Sequence, residues 1–194
     1  MLPMRSVERA TRRAEAAYQA LAAAESFAEA GDAWEDFLIH LRRALNRCDA
    51  EAKRQKRPDY VRLDRRIPAS AALAYLWAAR NADEHGLEEI AERQEKTLAI
   101  GAFGGYREEV DEPGPNGEVV YRYTPLSDDP PPFFAVVPEH LKLRPVPGRR
   151  GQQVPVPDGY AYDIGEVLAP VALAQVGLEF LLGELATLRA WNSA

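Results

Sequence analysis

The sequence predicts a mainly α protein, a four-helix bundle with a small antiparallel β insertion between the third and last long helices. Three observations carry this. Apolar residues recur at three- and four-residue steps over 33–55 and 164–190. Asp-x-x-Glu patterns, Asp32 to Glu35 and Asp163 to Glu166, stand where those stretches begin, as capping boxes do. Between them the composition shifts: eleven of the fifteen prolines fall between Pro113 and Pro157, among short runs rich in Val, Tyr, Phe and Ile. The chain is therefore expected to be one domain, with residues 1–96 and 158–194 forming the bundle and 97–157 a Pro-rich β insertion.

The first helix is expected over 6–29. Alanine is dense there, and Ala17, Leu21, Ala24 and Ala28 make a narrow stripe suited to close helix packing. Gly31 stops it and Asp32 caps the second helix, which runs to Gln55. In that helix Trp34, Phe37, Leu38, Leu41, Leu45 and Cys48 define one core face, and Pro58 sets the limit. Pro68 suits the first turn of a third helix, 68–86, whose apolar block ends at Gly86. Residues 87–96 (LEEIAERQEK) read as a short charged helical continuation.

From Thr97 the pattern becomes strand-like. Val119, Tyr121 and Tyr123 alternate with Val120 and Arg122, which suits a two- or three-stranded ribbon with one packed face. Such a ribbon would cover the bundle, mediate dimerisation or guide a ligand, and the sequence does not choose among these. The last helix has a wide apolar face of Leu168, Val171, Leu178, Leu181, Leu182, Leu185 and Leu188, and Pro170 either kinks it or marks its true first turn.

Composition narrows the function classes. The single cysteine, Cys48, excludes an intramolecular disulfide and a cysteine metal cluster. The opening MLPMRSVERATRR carries charge without an apolar core, and the run Val167 to Leu182 is broken by Pro170, Gln175 and Glu179, so the expectation is a cytoplasmic protein with no membrane span. Net charge is −6, so any nucleic-acid contact must be local. One basic stretch offers it: Lys53, Arg54, Lys56, Arg57, Arg62, Arg65 and Arg66 stand against two aspartates just before the third helix. A solvated helix end and linker would look the same.

The chemistry-bearing stretch closes that third helix. Arg80, Asn81 and His85 follow an apolar block, Ala71 to Trp77. Arginine suits anionic oxygens, histidine proton transfer, and asparagine the orienting of either, a set suited to a phosphodiester. On an unbroken helix Asn81 and His85 share a face, as do Arg80 and Glu84, while residues five apart diverge by about 140°. Arg80 and His85 therefore reach one phosphate only if the helix deforms or two copies meet. The bland reading is a surface Arg80–Glu84 pair and a capping His85.

Arg80-Asn81-Ala-Asp-Glu-His85 resembles the Arg-Asn-x-x-x-His signature of the HEPN superfamily, all-α domains of which many are metal-independent ribonucleases. The likeness covers the two helices before the motif, the motif helix and the last helix, and leaves out the middle of the chain, 97–157. It implies a homodimer with paired motifs lining a cleft, no cofactor, and cleavage of single-stranded RNA by 2′-hydroxyl attack. His85 would be the general acid or base, Arg80 would hold phosphoryl charge and Asn81 would orient the site. It also implies a defence or toxin setting with an antitoxin or other protein partner, although Gly86-Leu87-Glu88 lacks the tyrosine that antitoxins modify in some members. The alternative is a non-catalytic bundle that binds a protein or RNA.

Overall fold

A computed structural model describes residues 2–56, 60–82, 91–94, 97–101, 106–110, 121–125, 133–137, 140–148, 152–160 and 169–193. The protein is mostly helical, with short antiparallel two-stranded ladders. It divides into two units, one of residues 1–94 and 140–194 and one of residues 95–139.

In the first unit, α1 (Leu2–Ala22) and α2 (Phe27–Arg54) form an antiparallel pair joined by the turn Ala23–Ser26. Arg47 near the end of α2 donates to the Ser6 carbonyl near the start of α1, at 2.9 Å. The expected break at Gly31 is not there. Ser26 is the N-cap: its Oγ accepts from the Glu29 N–H at 3.3 Å, and Glu29 Oε2 accepts from the Ser26 N–H at 3.2 Å. Ser26-x-x-Glu29 and Asp32-x-x-Glu35 are both capping-box patterns six residues apart. Cutting at the later one would leave the first turn's donors unmatched and pull Ala30 and Gly31 off the core they help to bury. The stripe on α1 is accordingly Val7, Ala10, Ala14, Ala17 and Leu21, with Ala28 exposed in the first turn of α2. The α2 face is as expected: Trp34, Phe37, Leu38, Leu41, Leu45 and Cys48 are all buried.

A short helix α3 (Leu63–Arg66) runs into a 3-10 turn (Ile67–Ala69), and α4 (Ala71–Ala82) follows. Pro68 thus sits one turn before the helix it was expected to open. Ser70, in extended conformation, resets the chain, and its Oγ accepts from the Leu73 N–H at 3.4 Å. Helix α4 buries Leu73, Tyr75, Leu76, Ala78, Ala79 and Ala82, because α2, α5 and a hairpin all pack on it. Helix α5 (Ala169–Ser193) buries Leu173, Leu178, Leu181, Leu185 and Leu188 against α1, α2 and α4. By length and composition it could cross a membrane; here its inward face lies in the core. Gly177 lets it approach: a Cβ there would lie 2.8 Å from Leu76 Cδ1 and 2.9 Å from Leu41 Cδ2. The capping pattern Asp163 to Glu166 lies outside the described residues.

Strand β1 (Ala91–Gln94) stands where the helical continuation over 87–96 was expected; 87–90 and 95–96 lie outside the described residues. Its residues have helical propensity, but antiparallel pairing with β6 (His140–Leu143) lets Ala91, Leu141 and Leu143 join the core, and that tertiary gain overrides a weak local preference. A tight hairpin, β7 (Val146–Pro147) with β8 (Gln153–Val154), packs on α4. Tyr75 on α4 donates to the Arg144 carbonyl at 2.7 Å, tying helix to hairpin.

The second unit holds two ladders. Strand β2 (Thr97–Gly101) pairs with β5 (Phe133–Val137), and β3 (Tyr106–Val110) with β4 (Tyr121–Pro125). Five positions separate Gly101 from Tyr106 and eight separate Pro125 from Phe133, so the second ladder is shifted by three residues relative to the first. Val119 and Val120 lie outside the described residues.

Candidate functional site

Arg80 and Asn81 occupy the last turn of α4, and their neighbouring positions turn them about 100° apart. Trp77, one turn earlier, stands between the two directions. On one side Arg80 is half-buried in a narrow groove walled by Leu38, Leu41, Arg42 and Leu45 of α2 together with Trp77. The Arg42 guanidinium lies over the Trp77 ring, 3.0 Å from its centroid. On the other side Asn81 is exposed on the rim of a cleft of about 230 Å³. That cleft is lined by Asp64, Ile67 and Pro68 from α3 and the 3-10 turn, by Ala74, Trp77 and Ala78 from α4, and by Gly148 and Val154 from the β7–β8 hairpin. Asn81 makes no side-chain hydrogen bond among the described residues, and Asp64 pairs only with exposed Arg62 at 3.1 Å. His85, the third member of the motif, lies outside the described residues.

The cleft wall owes its closeness to Gly148. Its N–H donates to the Gln152 carbonyl at 2.6 Å, and a Cβ would come within 2.9 Å of that oxygen and 2.8 Å of Val154 Cγ2.

The basic stretch does not form a single surface. Lys53 pairs with Asp49 on α2, and Arg54 with Glu51 through Nε at 2.9 Å and Nη2 at 2.5 Å. Arg62 pairs with Asp64. Arg66 turns inward, and its two Nη atoms bind the buried Glu184 carboxylate of α5 at 2.7 and 2.5 Å while its guanidinium lies 5.0 Å from the Phe180 ring centroid. Lys56 and Arg65 are exposed and make no ion pair among the described residues; Arg57 lies outside them. Four of the seven cations therefore already hold a carboxylate.

Arg66 and Glu184 wall a second cleft, about 170 Å³, with Cys48, Tyr60, Thr187 and Trp191. Here polar groups serve one another. Tyr60 donates to Asp49, and its ring meets Trp191 edge-on at 6.2 Å. Burial raises the Tyr60 phenol, and the adjoining Asp49 carboxylate raises it further. The Asp49 carboxyl feels burial pushing it up, but hydrogen bonds from Lys53 and Tyr60 outweigh this and hold it below its ordinary value. Burial, with Glu184 and Asp49 nearby, pushes the Cys48 thiol up to about 12, so it is not a nucleophile at neutral pH.

The other two histidines stand on α2 and β6. His40 on α2 has its pKa lowered by partial burial, with Asp36 opposing and Arg43 and Arg13 reinforcing. His140 is buried on β6. Sequence reasoning missed Asp64, Trp77, Gly148 and Val154 as cleft residues, and nothing local marks them. It also missed the Arg66–Glu184 pair, for which a signal existed: Glu184 interrupts the inward row Gly177, Leu181, Leu188 at helical spacing, the mark of a carboxylate that needs a buried cation.

No protein-family model, no curated protein and no solved structure matches this chain.

Proposed function

We propose that this protein is a HEPN-like four-helix bundle that cleaves single-stranded RNA without a metal, as a homodimer in which two copies of the Arg80-Asn81-x-x-x-His85 motif face one substrate. The observation that carries the reading is the placement of Arg80 and Asn81. Helix α4 packs on α2, α5 and the hairpin; Asn81 lines the open cleft, Arg80 lies in the groove on the other side of Trp77, and His85 follows four residues after Asn81 in the sequence. A phosphate approaching this part of α4 needs a cation to bind it, and Arg80 is the basic residue in the last described turn. In the reaction a ribose 2′-hydroxyl attacks the adjacent phosphorus and the 5′-oxygen leaves. His85 moves the proton, Arg80 binds the equatorial oxygens and Asn81 orients the group.

Purified protein is expected to cut single-stranded RNA in EDTA, leaving 2′,3′-cyclic ends. Arg80→Ala and His85→Ala should each slow it by roughly 10²–10⁴-fold, with unchanged circular dichroism, and light scattering should give a dimer. Absence of cleavage by a folded dimer overturns the reading.

The engaged cations favour a second one, a non-catalytic module. Since Lys53, Arg54, Arg62 and Arg66 already hold carboxylates, the chain offers RNA less free positive charge than its sequence suggests. RNA binding without cleavage, or capture of a protein partner alone, would establish it.

A further inference from the structure

We infer that the 230 Å³ cleft beside Asn81 is a nucleobase subsite that takes a guanine ring, with its amine edge on Asp64 and its carbonyl on Asn81. This deepens the RNA reading above and rests on it for the identity of the natural ligand.

Three features of the cleft fit a flat heterocycle. Most of its lining is apolar (Ile67, Pro68, Ala74, Ala78, Val154), with one aromatic residue, Trp77. Arg42 covers the Trp77 ring from the α2 side, which fixes the indole and leaves its contact with the cleft for a ligand. At about 230 Å³ the space lies below the range of roughly 300–1,000 Å³ typical of drug-sized ligands, a size that suits a single base.

The polar groups then choose the base. Asp64 can only accept hydrogen bonds, and Asn81 can donate as well as accept. Guanine presents two adjacent N–H donors to a carboxylate and an oxygen acceptor beside them. Uracil offers one N–H flanked by two acceptors, which would set an oxygen against the carboxylate. Neither protein group is tied up in the core: Asn81 has no side-chain bond among the described residues, and the Arg62 pair holding Asp64 is solvent-exposed on both sides. Exposed pairs of that kind are weak and readily exchanged. At the hairpin wall the Gly148 N–H bonds the Gln152 carbonyl, and there is no room there for a Cβ.

The test is titration of the full-length protein with 5′-GMP and 5′-UMP, read by isothermal calorimetry and by the Trp77 indole NMR signal, with Trp34 and Trp191 as internal references. GMP is expected to shift Trp77 alone and to bind about tenfold tighter than UMP, the preference a bidentate base contact confers. Asp64→Asn should remove the preference. Ala74→Phe, which fills the cleft from a half-buried position, should abolish GMP binding while Trp34 and Trp191 signals report an intact fold. Equal affinity for the two nucleotides, no Trp77 shift, or full GMP binding by Ala74→Phe overturns the inference. Binding needs no catalysis, so a protein that prefers GMP but never cuts RNA removes the ribonuclease reading and keeps the base site. One that cuts RNA with no guanine preference does the reverse.

Discussion

The helical unit has two clefts of similar size and opposite character. Around Cys48 and Trp191, Arg66 holds Glu184 and Tyr60 holds Asp49, so every strong polar group is committed to another part of the protein. Around Trp77, Asn81 has no side-chain partner among the described residues and Asp64 has only a surface arginine. The first arrangement holds α3 and α2 to α5; the second leaves hydrogen-bonding capacity facing water. Volume alone does not separate a structural gap from a binding site. What separates them is whether the lining groups have already been satisfied.

That contrast breaks most easily at Arg66. Arg66→Ala leaves the Glu184 carboxylate buried with no cation, and loss of about 3 kcal/mol is expected, the low end for breaking a buried pair because Arg66 itself is one-third exposed. Urea unfolding measures it. Arg66→Ala together with Glu184→Leu should recover part of the loss, since the uncompensated charge goes with the second change. Nucleotide binding at the other cleft should not move.

Gly148→Ala attacks the second cleft through its wall. The new Cβ meets a backbone oxygen, which cannot rotate away, so a cost of about 1–3 kcal/mol is expected along with weaker GMP binding. A stable variant with unchanged binding would mean that the hairpin is softer than its contacts imply.

Tyr60→Phe removes one donor from Asp49 and should cost about 1–2 kcal/mol, as hydrogen bonds to charged groups do. The same network sets an acid limit. In the folded protein Asp49 and Glu51 both titrate below their ordinary values of 3.8 and 4.5, Asp49 because donors outweigh its burial and Glu51 because Arg54 binds it. A lowered folded pKa stabilises the fold above the ordinary value and stops doing so as pH falls through the folded one. Melting temperature should therefore decline gently below about pH 6.5, where unfolded His40 takes up a proton more readily than folded His40, and more steeply below about 5, with a shallower acid fall in Asp49→Asn.

These placements also show which parts could be read without coordinates. The α2 stripe from Trp34 to Cys48 was legible because a helix repeats its core contact every turn and the apolar residues do the same. The start of α2 was not: Ser26-x-x-Glu29 and Asp32-x-x-Glu35 offer equal local chemistry, and only the packing of Ala30 and Gly31 against α1 decides. Strand β1 was hidden because its partner His140–Leu143 lies across the whole intervening second unit, and AERQ alone favours helix. At the site, Arg80 and Asn81 could be picked out by type and position. Their different surroundings could not, since Gly148, Val154 and Asp64 reach the cleft from elements distant in the chain.

Asn81→Ala carries the smallest stability effect and tests the contrast most directly. An exposed amide at the end of a helix, with no side-chain bond among the described residues, contributes little to folding, and alanine is the better helix former. Unfolding free energy should stay within about 0.5 kcal/mol of the parent, as for surface substitutions that touch no special feature. Function should respond out of proportion to that. A side chain that orients a base or a phosphate is felt only when ligand is bound, so GMP affinity should fall about fivefold, the effect of losing the one hydrogen bond to the guanine carbonyl, about 1 kcal/mol. Arg66→Ala should give the converse, a large loss of stability with affinity preserved. If Asn81→Ala instead destabilises the protein as Arg66→Ala does, Asn81 is a structural cap, and the two clefts do not differ in kind.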